Sequence, residues 1–217
     1  MFIGHYGLGF GAKRVAPRVS LGMLFLACQL ADLIWPTLVL LGVERLRIDP
    51  GNTTVTPLSF VSYPYSHSLE GLVLWGVLCG GAYWLIRRSR VAAAVTIAAL
   101  VVSHWVLDWI SHRADMPFTF HGSTRVGLGL WNSRPGTIVV EGLIFAAGVV
   151  VYARMTRAHD RTGSIGFWVL VAFLAVVYAA NLASPPPPSA SAVAWAAEAL
   201  WLIVAWGWWV DRHRAAA

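Results

Sequence analysis

The amino-acid sequence predicts an all-α membrane protein: six transmembrane helices, a short N-terminal re-entrant half-helix, and both termini in the cytoplasm. Three observations carry that expectation. Apolar residues fill 58% of the 217 positions and charged ones only 12%, giving a mean hydropathy of +0.64, an excess that a soluble domain of this size could not keep off its surface. Six apolar stretches, roughly 19–42, 69–86, 91–111, 137–153, 165–182 and 192–210, are each long enough to cross a bilayer. The basic residues gather at alternate ends of these stretches. Of sixteen Lys and Arg residues, eleven lie in the N-terminal turn Lys13 to Arg18, in the connections Arg87 to Arg90 and Arg154 to Arg161, and at Arg212 and Arg214. The other five, Arg45, Arg47, Arg113, Arg125 and Arg134, lie in the opposite set of loops. An excess of positive charge marks the cytoplasmic side.

The net charge of +6 therefore reads as a topology signal and not as a nucleic-acid surface, because the cations sit at helix ends and follow no single face. Met1 to Ala12 has no basic n-region, so the first long stretch reads as an uncleaved anchor. Cys28 and Cys79 fall inside predicted spans and read as buried thiols. No internal repeat of fixed period is evident, so the chain reads as one membrane domain, 1–217.

The pieces between spans differ in kind. Met1 to Ala12 is apolar but too short to cross, and folding back about the basic turn would bring His5 toward Asp32. Two loops opposite the basic side are long, 43–66 and 112–136, the second rich in Gly and Arg, which suits either a mobile cover over a site or an ordinary Gly-rich connector. The third carries Pro185 to Pro188, a stiff spacer.

Ionisable side chains within apolar spans cost at least about 2.5 to 3.5 kcal/mol each near a helix centre, so they mark function or paired structure. Asp32, Glu70, His104, Asp108, Glu141 and Glu198 are of this kind. Counted at about 1.5 Å per residue from the basic helix ends, they fall in one layer roughly 18 to 26 Å up. His104, Asp108 and His112 follow one helix face at i, i+4 and i+8, a spacing that lets an imidazole and a carboxylate reach one divalent ion. His67 and Glu70, at i and i+3, begin the next span at about the same level. Together His5, Asp32, His67, His104 and Asp108 form a candidate metal-ligand set. For Glu198, hydrogen bonding between helices and a part in the site are equally open readings, and a structural interfacial imidazole is the plainer reading for His112.

Gly4-His5, Leu30-Ala31-Asp32-Leu33-Ile34-Trp35-Pro36, Tyr65-Ser66-His67-Ser68 and Ser103-His104-Trp105-Val106-Leu107-Asp108 occur in that order. This series resembles a family of small bacterial membrane-bound metal-dependent hydrolases, distantly similar to zinc-dependent phospholipase C. The resemblance covers about the first half of the chain. It implies the bacterial inner membrane and a divalent metal, zinc by preference, held by His5, Asp32, His67, His104 and Asp108. With the residues read together, the expected reaction is hydrolysis of a lipid-linked or amphipathic ester or phosphoester at the outer leaflet, with Glu70 or Glu141 as general base and Arg113 on a phosphate head group. Two alternatives stay open at this stage: a transporter in which the same layer handles protons or cations, and a non-catalytic membrane assembly partner.

Overall fold

Hydroxyl and carboxylate side chains set where most of the long helices begin. In the computed structural model, which describes residues 1–88 and 90–217, the side chains of Ser20, Ser68, Ser133, Asp160 and Ser189 each accept a hydrogen bond from the amide three residues on. Each thus satisfies one of the donors that a helix start leaves open.

The chain begins with α1 (Ile3–Gly11) and a basic 3-10 turn (Ala12–Arg14), followed by α2 (Leu21–Cys28) and α3 (Leu30–Leu40). A hairpin of β1 (Arg45–Ile48) and β2 (Leu58–Ser62) leads to a single turn, α4 (Pro64–His67), and then to α5 (Leu69–Arg87) and α6 (Val91–Ser111). A second small ladder, β3 (Met116–Pro117) with β4 (Arg125–Val126), precedes α7 (Arg134–Met155). After α7 come β5 (Thr156–Ala158), α8 (Arg161–Ala183), α9 (Ala190–Glu198), α10 (Leu200–Arg212) and β6 (Arg214–Ala216), which pairs antiparallel with β5.

Five helical segments, with α9 and α10 taken as one, are long and apolar enough to cross a membrane, and α2 with α3 makes a sixth if the bent pair is one span. The multi-pass helical class expected from composition is therefore present. The first span is not continuous: α2 and α3 meet at 56°, with Gln29 between them at φ −110° and ψ 7°. The long loops also carry short antiparallel ladders, which pair backbone groups that a coil would leave open.

Helix α1 is buried, with Ile3, His5, Tyr6 and Phe10 all within the core. It runs parallel to α7 at backbone contact distance, because Gly7 and Gly148 face each other. A Cβ added at Gly148 would fall 2.0 Å from the Gly7 carbonyl oxygen, and one at Gly7 would fall 2.6 Å from that of Ile144. Small residues permit such approaches between membrane helices. At the far end of α1, Lys13 is 3% exposed and donates to the Asp211 carboxylate at 2.7 Å and the Val19 carbonyl at 2.8 Å. Asp211 also accepts from the Tyr152 hydroxyl at 2.9 Å and the Leu21 amide at 3.1 Å. One carboxylate thus ties the turn after α1 to α2, α7 and α10 at the basic end, and in this low-dielectric setting each oxygen has a donor.

A short buried helix, α1, stands where the re-entrant half-helix is expected. Met1 lies buried beside Asp108, its amino group bonded to that carboxylate and to Ser111 Oγ at 3.2 Å. A segment that folds back into the bundle carries its own end with it, whereas β6 and the C terminus stay near the basic turn through the pairing with β5.

Gly148→Val should force α1 off α7, lowering stability by about 1 to 3 kcal/mol or more and withdrawing His5 from its neighbours. Gly142→Ala on the same helix, where an added Cβ meets nothing within 4 Å, should be neutral or slightly stabilising. Thermal unfolding of the detergent-solubilised variants makes the comparison.

Candidate metal centre

The break at Gln29 creates the centre of the site. Because α2 stops at Cys28, the Cys28 carbonyl points away from any helical partner, and His104 Nδ1 donates to it at 2.8 Å. That bond places the ring proton on Nδ1 and leaves the Nε2 lone pair facing inward. Here Nε2 stands 3.1 Å from Asp108 Oδ2 and 3.8 Å from Asp32 Oδ1, and it has no hydrogen-bond partner of good geometry among the described residues. Asp32 sits in the first turn of α3, where the restarted helix presents its positive end to the carboxylate. Pro36 lacks the amide that would bond the Asp32 carbonyl, so the backbone is further loosened at this residue.

His67 arrives from the single turn α4 and is oriented by a relay that sequence reasoning missed. Glu44 is 1% exposed. Its Oε1 accepts from the amides of Tyr65 at 2.8 Å and Ser66 at 3.0 Å, and its Oε2 accepts from the Ser66 hydroxyl at 2.6 Å. With its proton committed to Glu44, Ser66 Oγ accepts from His67 Nδ1 at 2.6 Å. His67 Nε2 is thereby also left as a lone pair, 3.4 Å from Asp32 Oδ1 and 3.8 Å from Asp108 Oδ2. The one available signal was an acidic residue in an otherwise apolar-to-basic stretch, Leu41-Gly42-Val43-Glu44-Arg45; its partners cannot be read from spacing.

His5 comes from α1. Its ring lies parallel to that of His104 with centroids 3.8 Å apart, and its Nε2 is 3.1 Å from Asp108 Oδ1. The five side chains expected to act together are therefore brought together, as two overlapping groups: His5 with His104 and Asp108, and Asp32 with His67 and His104.

Lone pairs facing carboxylates across 3.1 to 3.8 Å repel unless a positive charge lies close by. The Met1 ammonium supplies one at Asp108 Oδ1, and no lysine or arginine pairs with Asp32 or with Asp108 Oδ2 among the described residues. A tetrahedral shell of N and O donors at about 2.1 Å has donor-to-donor edges of about 3.4 Å, so the observed separations bracket the spacing that one shared ion requires. This buried His and Asp group can hold a metal ion. Four of its members are almost fully buried, while the Asp32 side chain keeps 26% of its surface, so the cluster opens through Asp32.

Other expected site residues stand elsewhere. Glu141 is buried, and its Oε2 accepts from the amides of Phe2 at 2.7 Å and Gly4 at 3.3 Å, capping the start of α1. Glu70 is exposed and accepts from the Phe120 amide at 2.9 Å, fastening the second long loop to α5. Arg113 bonds Asp115 at 3.3 Å. His112 turns to Asp115 at 3.0 Å and lies against Trp131, with ring centroids 4.2 Å apart. Burial pushes its imidazole below the usual range, against the pull of Asp115. Glu198 accepts from the Thr37 hydroxyl at 2.6 Å, joining α9 to α3 as an interhelical hydrogen bond.

Glu44→Gln inverts the relay. An amide donor facing Ser66 turns the hydroxyl toward His67 Nδ1 and moves the ring proton to Nε2. Zinc affinity, measured by competition with a chelator, should fall by about 10- to 100-fold in Glu44→Gln and in Ser66→Ala, and stay unchanged in Glu198→Gln.

No protein-family model matches this chain, nor does any curated protein or solved structure, so the reading of this centre rests on its own side chains.

Proposed function

We propose that the chain is a metal-dependent hydrolase of the membrane, acting on an ester or phosphoester of a lipid-linked or amphipathic molecule. The observation that supports this most directly is the buried cluster of three imidazoles and two carboxylates, two overlapping groups of three that share His104, with one partly exposed member. The donor set, nitrogen-rich with carboxylate oxygens, suits zinc. When bound, such an ion polarises the scissile group and lowers the pKa of water.

The remaining work falls to the protein. The Cys28 carbonyl and the Glu44–Ser66 pair hold His104 and His67 in the tautomer that faces the site. Asp32, at the opening, orients the attacking water and accepts its proton, a part first expected of Glu70 or Glu141, whose carboxylates instead cap backbone amides. Burial of His5, His104 and Asp108 excludes bulk water from the reacting centre. The positive-inside rule, applied to the basic loops, supports an opening in the outer half of a bacterial inner membrane.

A broken span beside buried carboxylates also occurs in transporters. Those built on inverted repeats carry such breaks in corresponding pairs, whereas among the described residues only one helix pair is bent beyond 40°. The enzyme reading is the better supported.

Two outcomes follow. Asp32→Asn should bind zinc more weakly and, at saturating zinc, lose at least about 100-fold in turnover of bis(p-nitrophenyl) phosphate or a p-nitrophenyl ester, whereas His104→Ala should lose both zinc and turnover. Unchanged turnover of both substrates in Asp32→Asn and His104→Ala would remove the reading. Cysteines placed at Pro185 to Pro188 should react with impermeant reagents from the outside, and cysteines at Arg154 to Arg161 only after the inner face is opened.

A further inference from the structure

Two arginines stand apart from the rest of their side of the molecule. Of the five arginines opposite the basic end, Arg113 is held by Asp115, Arg125 by the carbonyls of Gly122 and Thr124, and Arg134 by the carbonyl of Leu182. Arg45 and Arg47 are exposed, and among the described residues their guanidinium groups have no such partner. They lie two apart on β1, so both project from one face of the hairpin while Leu46 between them is buried on the other.

Both line a cleft of about 540 Å³, walled by Val39, Leu40 and Gly42 at the end of α3, by Val61 of β2, and by Ala190 and Ser191 at the start of α9. Ser189 Oγ accepts from the Ala192 amide at the start of α9, and the positive end of that helix adds to the potential of the two arginines. Apart from Ser191 and Glu44 the rest of the wall is apolar. Glu44 also borders the cleft, but both its oxygens accept hydrogen bonds from Tyr65 and Ser66 on the inner side. Through Ser66 it is two hydrogen bonds from His67, so the cleft and the metal centre share a wall.

We infer that this cleft is the head-group subsite for a phosphate-bearing amphiphile, with Arg45 and Arg47 on the phosphate and the apolar strip along Val39, Leu40 and Val61 against its chain. Unpaired guanidinium groups bind phosphate oxygens through charge-assisted, often bidentate hydrogen bonds. An apolar floor beneath two cations matches a molecule that is charged at one end only. The part first expected of Arg113 passes to residues whose donors are free. The inference names the substrate class for the hydrolase proposed above and rests on that reading for its role in turnover; the binding is separable from it.

The test is mass spectrometry of the intact, detergent-solubilised full chain titrated with phosphatidylglycerol, with phosphatidylcholine as the neutral control and inorganic phosphate as competitor. The wild-type protein should retain phosphatidylglycerol about tenfold better than R45Q/R47Q. R45K/R47K should recover part of the difference, and Arg125→Gln should match the wild type. Equal retention by the wild type and R45Q/R47Q overturns the inference, as does arginine-dependent binding of inorganic phosphate without retention of the lipid. Zinc content of the same samples separates the two readings: zinc-free protein that still retains lipid through both arginines overturns the hydrolase and leaves the subsite standing.

Discussion

The hydrogen bond from His104 Nδ1 to the Cys28 carbonyl is the interaction on which the site depends. A continuous first span would consume that carbonyl in its own ladder and leave His104 free to turn. Breaking the span at Gln29 costs helical hydrogen bonds in a setting where water does not replace them, a cost tolerated only where neighbouring groups take them up. His104 is such a neighbour. The break then acts twice, since it frees the acceptor that orients one imidazole and starts a new helix whose first turn carries Asp32. A backbone irregularity thereby becomes the organising element of a polar centre.

The rest of the bundle brings the remaining donors to this point. Helix α1 cannot span a membrane, and its nine residues are held between two anchors. Glu141 caps its amides at the end near the site, and Asp211 holds Lys13 at the other. The contact of Gly7 with Gly148 lets the backbone come close enough for His5 to lie flat on His104. His67 depends on a different device, a loop carboxylate acting through a hydroxyl. Three imidazoles are thus fixed by a helix break, a re-entrant helix and a loop relay, each satisfying its own buried polar groups.

Much of this was legible in the sequence, for physical reasons that also explain what was not. Lipid demands long apolar runs, so the spans appear in hydropathy alone, and charge within such runs is costly enough that Asp32, His104 and Asp108 stand out against it. The depth argument placed the ionisable residues in one layer, but depth carries no azimuth. It could not tell that Glu141 turns to the amides of α1 or that Glu70 turns to the loop at Phe120. Glu44 was invisible for the complementary reason: it lies in a loop, where a carboxylate is unremarkable until the fold buries it. The break at Gln29 escaped because Leu21 to Leu40 stays apolar enough, despite Gln29 and Asp32, to read as one span, and hydropathy does not report backbone dihedrals.

The central claim is that His5, Asp32, His67, His104 and Asp108 surround one common cationic position. X-ray absorption at the metal edge, on protein purified without added metal or chelator, measures this directly. The account predicts a divalent ion, zinc by donor type, with imidazole scattering from about three rings and carboxylate oxygens at about 2.0 to 2.2 Å, and loss of one imidazole in His5→Ala. Protein that carries no ion, or an ion bound without imidazole, would contradict it.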